Sequence, residues 1–441
     1  MEQTMPNSLE AKRARHAWYF YDFGNSAYAA VVLLAIYSSY FSNVVVGEVH
    51  GPTLWNYAVG IAAIIVAVTS PVMGTIADFS RSKKKFLFFF TALSIVFTGL
   101  LFFVKEGDVF IGMLFFILAE IGYRAAQVFY DALLVDVSTP ETIGDVSGKG
   151  WALGMLGGIV CLLIVLVPIQ LTNSNPLMIR IAFIITALFY LASSIPTFLR
   201  VRQLSEPEKL PAGETTISHA FKSLGATFRD VKKYKEFMKY AVSFLIYNDG
   251  IMMLMDNAAL IGGILYGMKT AQLIILIIIL QITGAAGAYL FGKISNKQSS
   301  KESLLYSLVI LILSIVALYF FKSMVAFYVI GGIAGFSLSG VQAVSRTMVS
   351  QLTPHSKTAE FYGFLSVAGR TSTFIGPVVY GSIYAAMTSY ALKHGAVDDA
   401  AAKMVGVYWA LGSVIAFLVI GLLLLQIVRR VTHKDPLKFE D

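Results

Sequence analysis

About a dozen apolar runs of roughly 20 residues each, separated by short polar turns, constrain this chain more than any other feature. A helix of that length crosses a hydrocarbon layer with every backbone hydrogen bond satisfied inside it. Strand-like alternation is absent, so the runs predict helices rather than barrel strands. The fold class is therefore an all-α membrane protein. Composition agrees, since 57% of the 441 residues are hydrophobic and 14% are charged. A mean hydropathy of +0.71 would leave a soluble domain with large exposed apolar patches.

Twelve transmembrane helices are expected, at 17–43, 54–77, 86–104, 109–137, 149–171, 178–199, 238–266, 270–293, 303–321, 325–352, 361–388 and 404–429. They divide into a cytoplasmic segment 1–16, an N-terminal half 17–200, a linker 201–237, a C-terminal half 238–429 and a tail 430–441. The linker is polar, and Phe221, Leu224, Phe228 and Val231 recur among basic residues at the spacing of a surface-lying amphipathic helix. Met1 to His16 lacks the apolar core of a signal peptide, so the first span is expected to target the chain.

The net charge of +8 does not point to nucleic acid, because of where it sits. Lys12, Arg13, Arg15, Arg81, Lys83 to Lys85, Arg200 to Lys239, Lys293 to Lys301 and Arg429 to Lys438 fall on alternate loops, which places both termini in the cytoplasm. Short loops and the absence of any Asn-x-Ser/Thr acceptor fit a bacterial inner (plasma) membrane. The single cysteine, Cys161, excludes a disulfide framework and reads as a buried inert thiol.

The halves repeat one another. Tyr21-Asp22-Phe23-Gly24 matches Tyr247-Asn248-Asp249-Gly250 at an offset of 226, and Gly74-x-x-x-Asp78 matches Gly292-x-x-x-Asn296 at 218. Gln127 with Gln342, Asp131 with Arg346 and Gly154 with Gly369 share an offset of 215. Equivalent spans enter from the same side, so the repeat is parallel, with its axis along the membrane normal.

Charges inside the spans mark the candidate sites. Glu120, Arg124, Gln127 and Asp131 lie on one helical stripe, which a lipid-facing helix would reject at about 2.5–3.5 kcal/mol per charge. Asp22, Asn25 and Tyr28 on span one, Asp249 and Asp256 on span seven, and Gln342 and Arg346 on span ten complete the set. Glu120 is either a proton-coupling carboxylate or the permanent partner of Arg124 one turn away. Asp256, with no obvious intrahelical cation to pair with, is the second candidate for protonation. Arg124 and Arg346 offer bidentate donors for a substrate carboxylate, and Arg346 has an alternative partner in Asp131. A gate is expected from Gly74, Asp78, Arg81, Asp131, Asp136 and Arg370. Glycine permits close packing there, and an aspartate can pair with a base or a helix N-terminus.

Several of these segments resemble a known family. Gly74-x-x-x-Asp78 followed by basic residues resembles the loop pattern of the major facilitator superfamily. Trp18-Tyr19-Phe20-Tyr21-Asp22-Phe23-Gly24-Asn25-Ser26-Ala27-Tyr28, Gly150-Trp151-x-x-Gly154, and Gln342-Ala343-Val344-Ser345-Arg346 followed by Pro354, Phe361, Gly363, Arg370 and Gly376-Pro377 are similar to its vacuolar effluxer branch. That branch comprises the autophagy-related amino-acid effluxers and their bacterial relatives. The resemblance implies a rocking carrier of two six-helix halves whose first, fourth, seventh and tenth helices line a cavity, with amino-acid export as the eukaryotic role. It also implies that spans two and eleven pack together, which would bring Arg370 toward Asp78. Gly24 and Arg370 stand where the branch commonly has alanine and lysine.

The expected function is thus secondary transport of a small polar or amphiphilic solute. The rivals are a proton-coupled carrier or a drug or lipid exporter of unrelated substrate and, from another class, a non-transporting membrane sensor. No nucleophile–base set, phosphate loop or metal-spaced histidine cluster points to an enzyme, a cofactor or a metal. The chain is expected to act as a monomer among membrane lipids.

Overall fold

The computed structural model describes residues 9–47, 51–173, 175–204, 222, 234–268, 270–394, 396–432, 435 and 437. The amphipathic helix expected in the linker lies outside them. The described residues form twelve long helices: α1 (Leu9–Val45), α2 (Gly51–Phe79), α3 (Lys83–Phe103), α4 (Val109–Ala132), α5 (Ile143–Leu171), α6 (Pro176–Arg200), α7 (Lys235–Tyr266), α8 (Thr270–Lys297), α9 (Ser300–Phe320), α10 (Met324–Leu352), α11 (Thr358–Lys393) and α12 (Asp399–Gln426). Ten of them carry an apolar window long enough to span a bilayer; the other two, α7 and α11, are 32 and 36 residues long. Large side chains such as Val68, Leu313 and Phe103 are exposed along them, as lipid-facing residues are.

Local sequence explains where helices begin and end. Asn175 caps α6 through Leu177 N–H, with Pro176 in the first turn where no donor is needed. Ser299 caps α9 through Glu302 N–H, and Asp398 caps α12 through Ala401 N–H. Gly267 ends α7 with φ of 63°, a left-handed conformation that suits glycine. The fourth span stops earlier than its hydropathy suggests: α4 ends at Ala132, and Asp136 falls in a separate helical turn, Leu134–Val137.

The contacts divide the chain into two compact units. The first holds the described residues of Met1–Asp230 together with Thr353–Val367; the second holds those of Val231–Leu352 and Ala368–Asp441. The segment that opens α11 therefore packs with the first unit, although it follows α10 in sequence. Within the first unit α1 packs along α5 and α6, and α3 along α4. Its aromatic core gathers Tyr28, Tyr37, Phe41, Phe116, Tyr123 and Phe183. In the second unit α8 packs along α10, and α7 along α12.

Helix α1 is not regular. It is α-helical from Leu9 to Tyr28, then widens into π-helical stretches at Ala29–Ala35 and Phe41–Val45. Such stretches are frequent at functional sites, and this one begins at the residue after Tyr28.

Candidate functional site

The charged stripe on α4 is held inside the first unit. Glu120 is fully buried and pairs through Oε1 with Arg124 Nε, one turn along the same helix. The Arg124 side chain keeps 17% of its surface while Glu120 keeps none. From α1, Tyr28 faces Glu120 and Arg124, and its ring stacks on Tyr123 at 4.7 Å. The Tyr123 hydroxyl in turn accepts from Gln127 Nε2 at 3.0 Å. The cluster is thus Tyr28, Glu120, Tyr123, Arg124 and Gln127. Sequence reasoning missed Tyr123, although its place three residues after Glu120 and four before Gln127 puts it on the same helix face.

Asp22 and Asn25 serve the interior of the same unit. Asp22 lies beside Gly154 of α5, and Asn25 Oδ1 accepts from the Tyr190 hydroxyl at 3.0 Å. Tyr190 continues to Tyr21 at 2.8 Å, and Tyr21 to Thr91 at 2.6 Å. Trp18 donates to Tyr130 O at 3.0 Å, stacks on the Tyr130 ring, and covers Gly150. The glycines of Gly150-Trp151-x-x-Gly154 therefore make room for Trp18 and Asp22 of α1, which links two of the motifs physically.

A second polar cluster joins the α2–α3 turn to the start of α11. Asp78 Oδ1 pairs with Lys83 Nζ at 2.9 Å, and Asp78 Oδ2 accepts from Glu360 N–H at 2.8 Å. The aspartate thus meets both a base and a helix N-terminus, where its charge opposes the helix dipole. Lys83 is fully buried and also donates to Thr358 Oγ1 at 2.6 Å. A Cβ on Gly74 would lie 2.9 Å from Glu360 N, so only glycine permits this approach. Arg81 stands at φ of 51° and donates to Gln203 O at 2.6 Å, away from Asp78. Nearby, Asp136 Oδ1 accepts from Leu204 N–H at 2.8 Å. Burial raises the Asp136 carboxyl above its ordinary range, against the opposing pull of Lys83, the Leu204 N–H, His355 and Arg81. Asp131 is half-buried at the end of α4, and the Arg370 side chain lies outside the described residues.

In the second unit Asp249 and Arg346 are buried, and Gln342 is half-buried. Tyr247 bonds Ser345 Oγ at 2.7 Å, and Tyr240 donates to Ser345 O at 2.9 Å. Asp256 is exposed on α7.

Two six-helix halves with charged and polar side chains sealed inside spanning helices define an integral multi-pass transporter of the major facilitator fold, not an enzyme. Comparison with a solved structure agrees on the fold. The human organic anion transporter MFSD10 (TETRAN) superposes with a TM-score of 0.70 at 12% identity, over 94% of this chain and 99% of that one. The family described as "Vacuole effluxer Atg22 like" matches residues 40–392, and the chain belongs to it. The Bacillus subtilis (strain 168) protein called "Uncharacterized MFS-type transporter YxiO" is 27% identical over 377 residues, 83% of this chain and 87% of that protein. Autophagy-related protein 22 of Yarrowia lipolytica is 26% identical over 265 residues, 54% of this chain and 45% of that protein. The chain thus matches less than half the length of that fungal relative.

Proposed function

We propose that this transporter is a secondary active carrier of a small polar or amphiphilic solute, amino-acid-like, working by alternating access with export as its direction. It resides in a bacterial inner membrane with both termini cytoplasmic, acts as a monomer and needs no cofactor. The observation that carries the proposal is the Glu120–Arg124 pair, fully buried on the acid's side and part-buried on the base's. A chain that only had to span lipid would gain nothing from charges there. The family's description as vacuole effluxers supports the direction.

In this reading Tyr28, Arg124 and Gln127 are the solute-contacting residues of the first unit, and Asp249, Gln342 and Arg346 are the candidates within the second. Asp22 and Asn25 shape α1 behind the site. Glu120 couples the proton, with Asp256 as the alternative. Gly74, Asp78, Arg81, Asp131, Asp136 and Arg370 belong to the gate.

Counterflow of a labelled amino-acid panel in proteoliposomes tests the proposal. Saturable exchange of at least one panel member is expected from the native protein and none from empty vesicles. If none moves although the protein is folded, the amino-acid reading falls.

A further inference from the structure

We propose that the Tyr28–Glu120–Arg124 cluster binds a small carboxylate on the free end of Arg124 together with a proton on Glu120, so that solute and proton occupy the site as a pair. This rests on the carrier reading above and deepens it. Arg124 spends only Nε on Glu120, and its two terminal nitrogens make no hydrogen bond among the described residues. Those nitrogens form the planar fork that a carboxylate fits with two parallel bonds. The Arg124 side chain keeps 17% of its surface and Glu120 none, so a solute reaches the base without reaching the acid. An ammonium group of the solute therefore finds no partner in Glu120, and the carboxylate alone is read here.

Proton uptake follows from charge balance. The empty cluster is neutral, with one acid and one base. A second carboxylate leaves one uncompensated negative charge in a dry site, which a proton on Glu120 removes. Glu120 Oε2 and the Tyr28 hydroxyl are both buried, lie against one another, and lack a well-formed hydrogen bond. Once protonated, Oε2 donates to the Tyr28 oxygen, and Arg124 is released to the solute.

Among the described residues, the titratable and charged groups facing Glu120 are Tyr28 from α1 and Tyr123 and Arg124 from α4. Helices α2 and α3 carry charges only at Asp78 and Lys83 to Lys85, around their joining turn. No other base competes for Glu120 there. Because solute and proton bind together, an inward proton gradient opposes export, and net export runs where the outward solute gradient exceeds the opposing proton gradient.

Thermal stabilisation of the full-length protein in detergent, paired with counterflow in proteoliposomes, tests this. The probes are leucine, 4-methylpentanoate and glutamate, each compared with its carboxamide, at about pH 6 and about pH 8. At least one acid is expected to bind tenfold or more tighter than its amide, including an acid without an amine. Its affinity should rise by up to about tenfold per unit fall in pH, the limit for one proton taken up per solute bound. In Glu120→Gln the pH dependence disappears; in Arg124→Gln the preference for acid over amide disappears. The acid–amide comparison on the native protein needs no variant, so a misfolded Arg124 variant does not decide it. Equal binding of acid and amide, or an unchanged pH dependence in Glu120→Gln, overturns the proposal while leaving the carrier reading standing. If no probe binds or counterflows, both fall for solutes of this class.

Discussion

At the 215-residue offset, the stripe that carries Glu120 and Arg124 on α4 carries Gly335 and Ser339 on α10. In the first unit this face holds an ion pair. In the second, a Cβ on Gly335 would lie 2.9 Å from backbone atoms of Leu280, so the same face brings α10 onto α8. The units diverge less at the position of Tyr21 and Tyr247. Both tyrosines are buried and bond hydroxyls of their own unit, Thr91 and Tyr190 for the first, Ser345 and Tyr240 for the second. A repeated scaffold thus keeps its tyrosine and places an ion pair at these two positions in one half only. At these positions the first half holds an ion pair and the second brings helices together, with the buried Arg346 further along α10.

Removing one member of the pair should produce the largest effect. Arg124→Ala leaves Glu120 buried without its cation, which destabilises by about 3 kcal/mol or more. A lower unfolding midpoint in detergent is expected, with most of the loss recovered when Glu120→Gln is added. An unchanged midpoint for Arg124→Ala would mean that the two halves do not differ energetically at this stripe.

The packing side of the comparison breaks at Gly335. Gly335→Ala forces α8 and α10 apart and should cost about 1–3 kcal/mol. Gly263→Ala on α7 meets nothing within 4 Å and is expected to be neutral or to gain up to about 1 kcal/mol from helix propensity. Equal effects of the two substitutions would remove the close approach as the reason for glycine on α10.

Much of this contrast was legible in the sequence, because charge inside an apolar run is rare enough to be read directly. The Glu120 stripe, the Gly74-to-Asp78 turn and the parallel repeat needed only spacing. Lys83 was not legible as the partner of Asp78, since it heads a run of three lysines and nothing in such a run says which is buried. The packing of the start of α11 against α2 was expected through the family resemblance alone, since it joins segments about 280 residues apart that no spacing connects. The π-helical stretches of α1 consist of ordinary alanine, valine and leucine, whose hydropathy is the same in either helix. Tyr123 was passed over because an aromatic residue in a spanning helix usually packs against lipid or core.

The shared tyrosine offers a smaller test. Tyr21→Phe and Tyr247→Phe each remove a buried hydroxyl from a two-partner network and should cost about 0.6–1.5 kcal/mol, alike in the two units. A loss confined to one of them, by thermal unfolding of the two variants side by side, would show that the repeat is preserved in sequence and not in energetics.

The smallest effect is expected at Asp136 of the first unit, which corresponds to the uncharged Gln351 of the second. Burial raises the Asp136 carboxyl above its ordinary value of 3.8, so the folded chain holds this proton more tightly than the unfolded chain does. Stability from this group is therefore fully present below pH 3.8 and is lost as pH rises through the folded value. Asp136→Asn keeps an oxygen for the Leu204 N–H and cannot ionise, which makes the first unit resemble the second. The midpoint difference between variant and native protein should accordingly widen in the variant's favour as pH rises, and then level off. A difference that stays constant with pH would mean that Lys83, His355 and Arg81 already hold the carboxylate charged; one that grows toward low pH would reverse the sign and make Asp136 a stabilising anion of the gate.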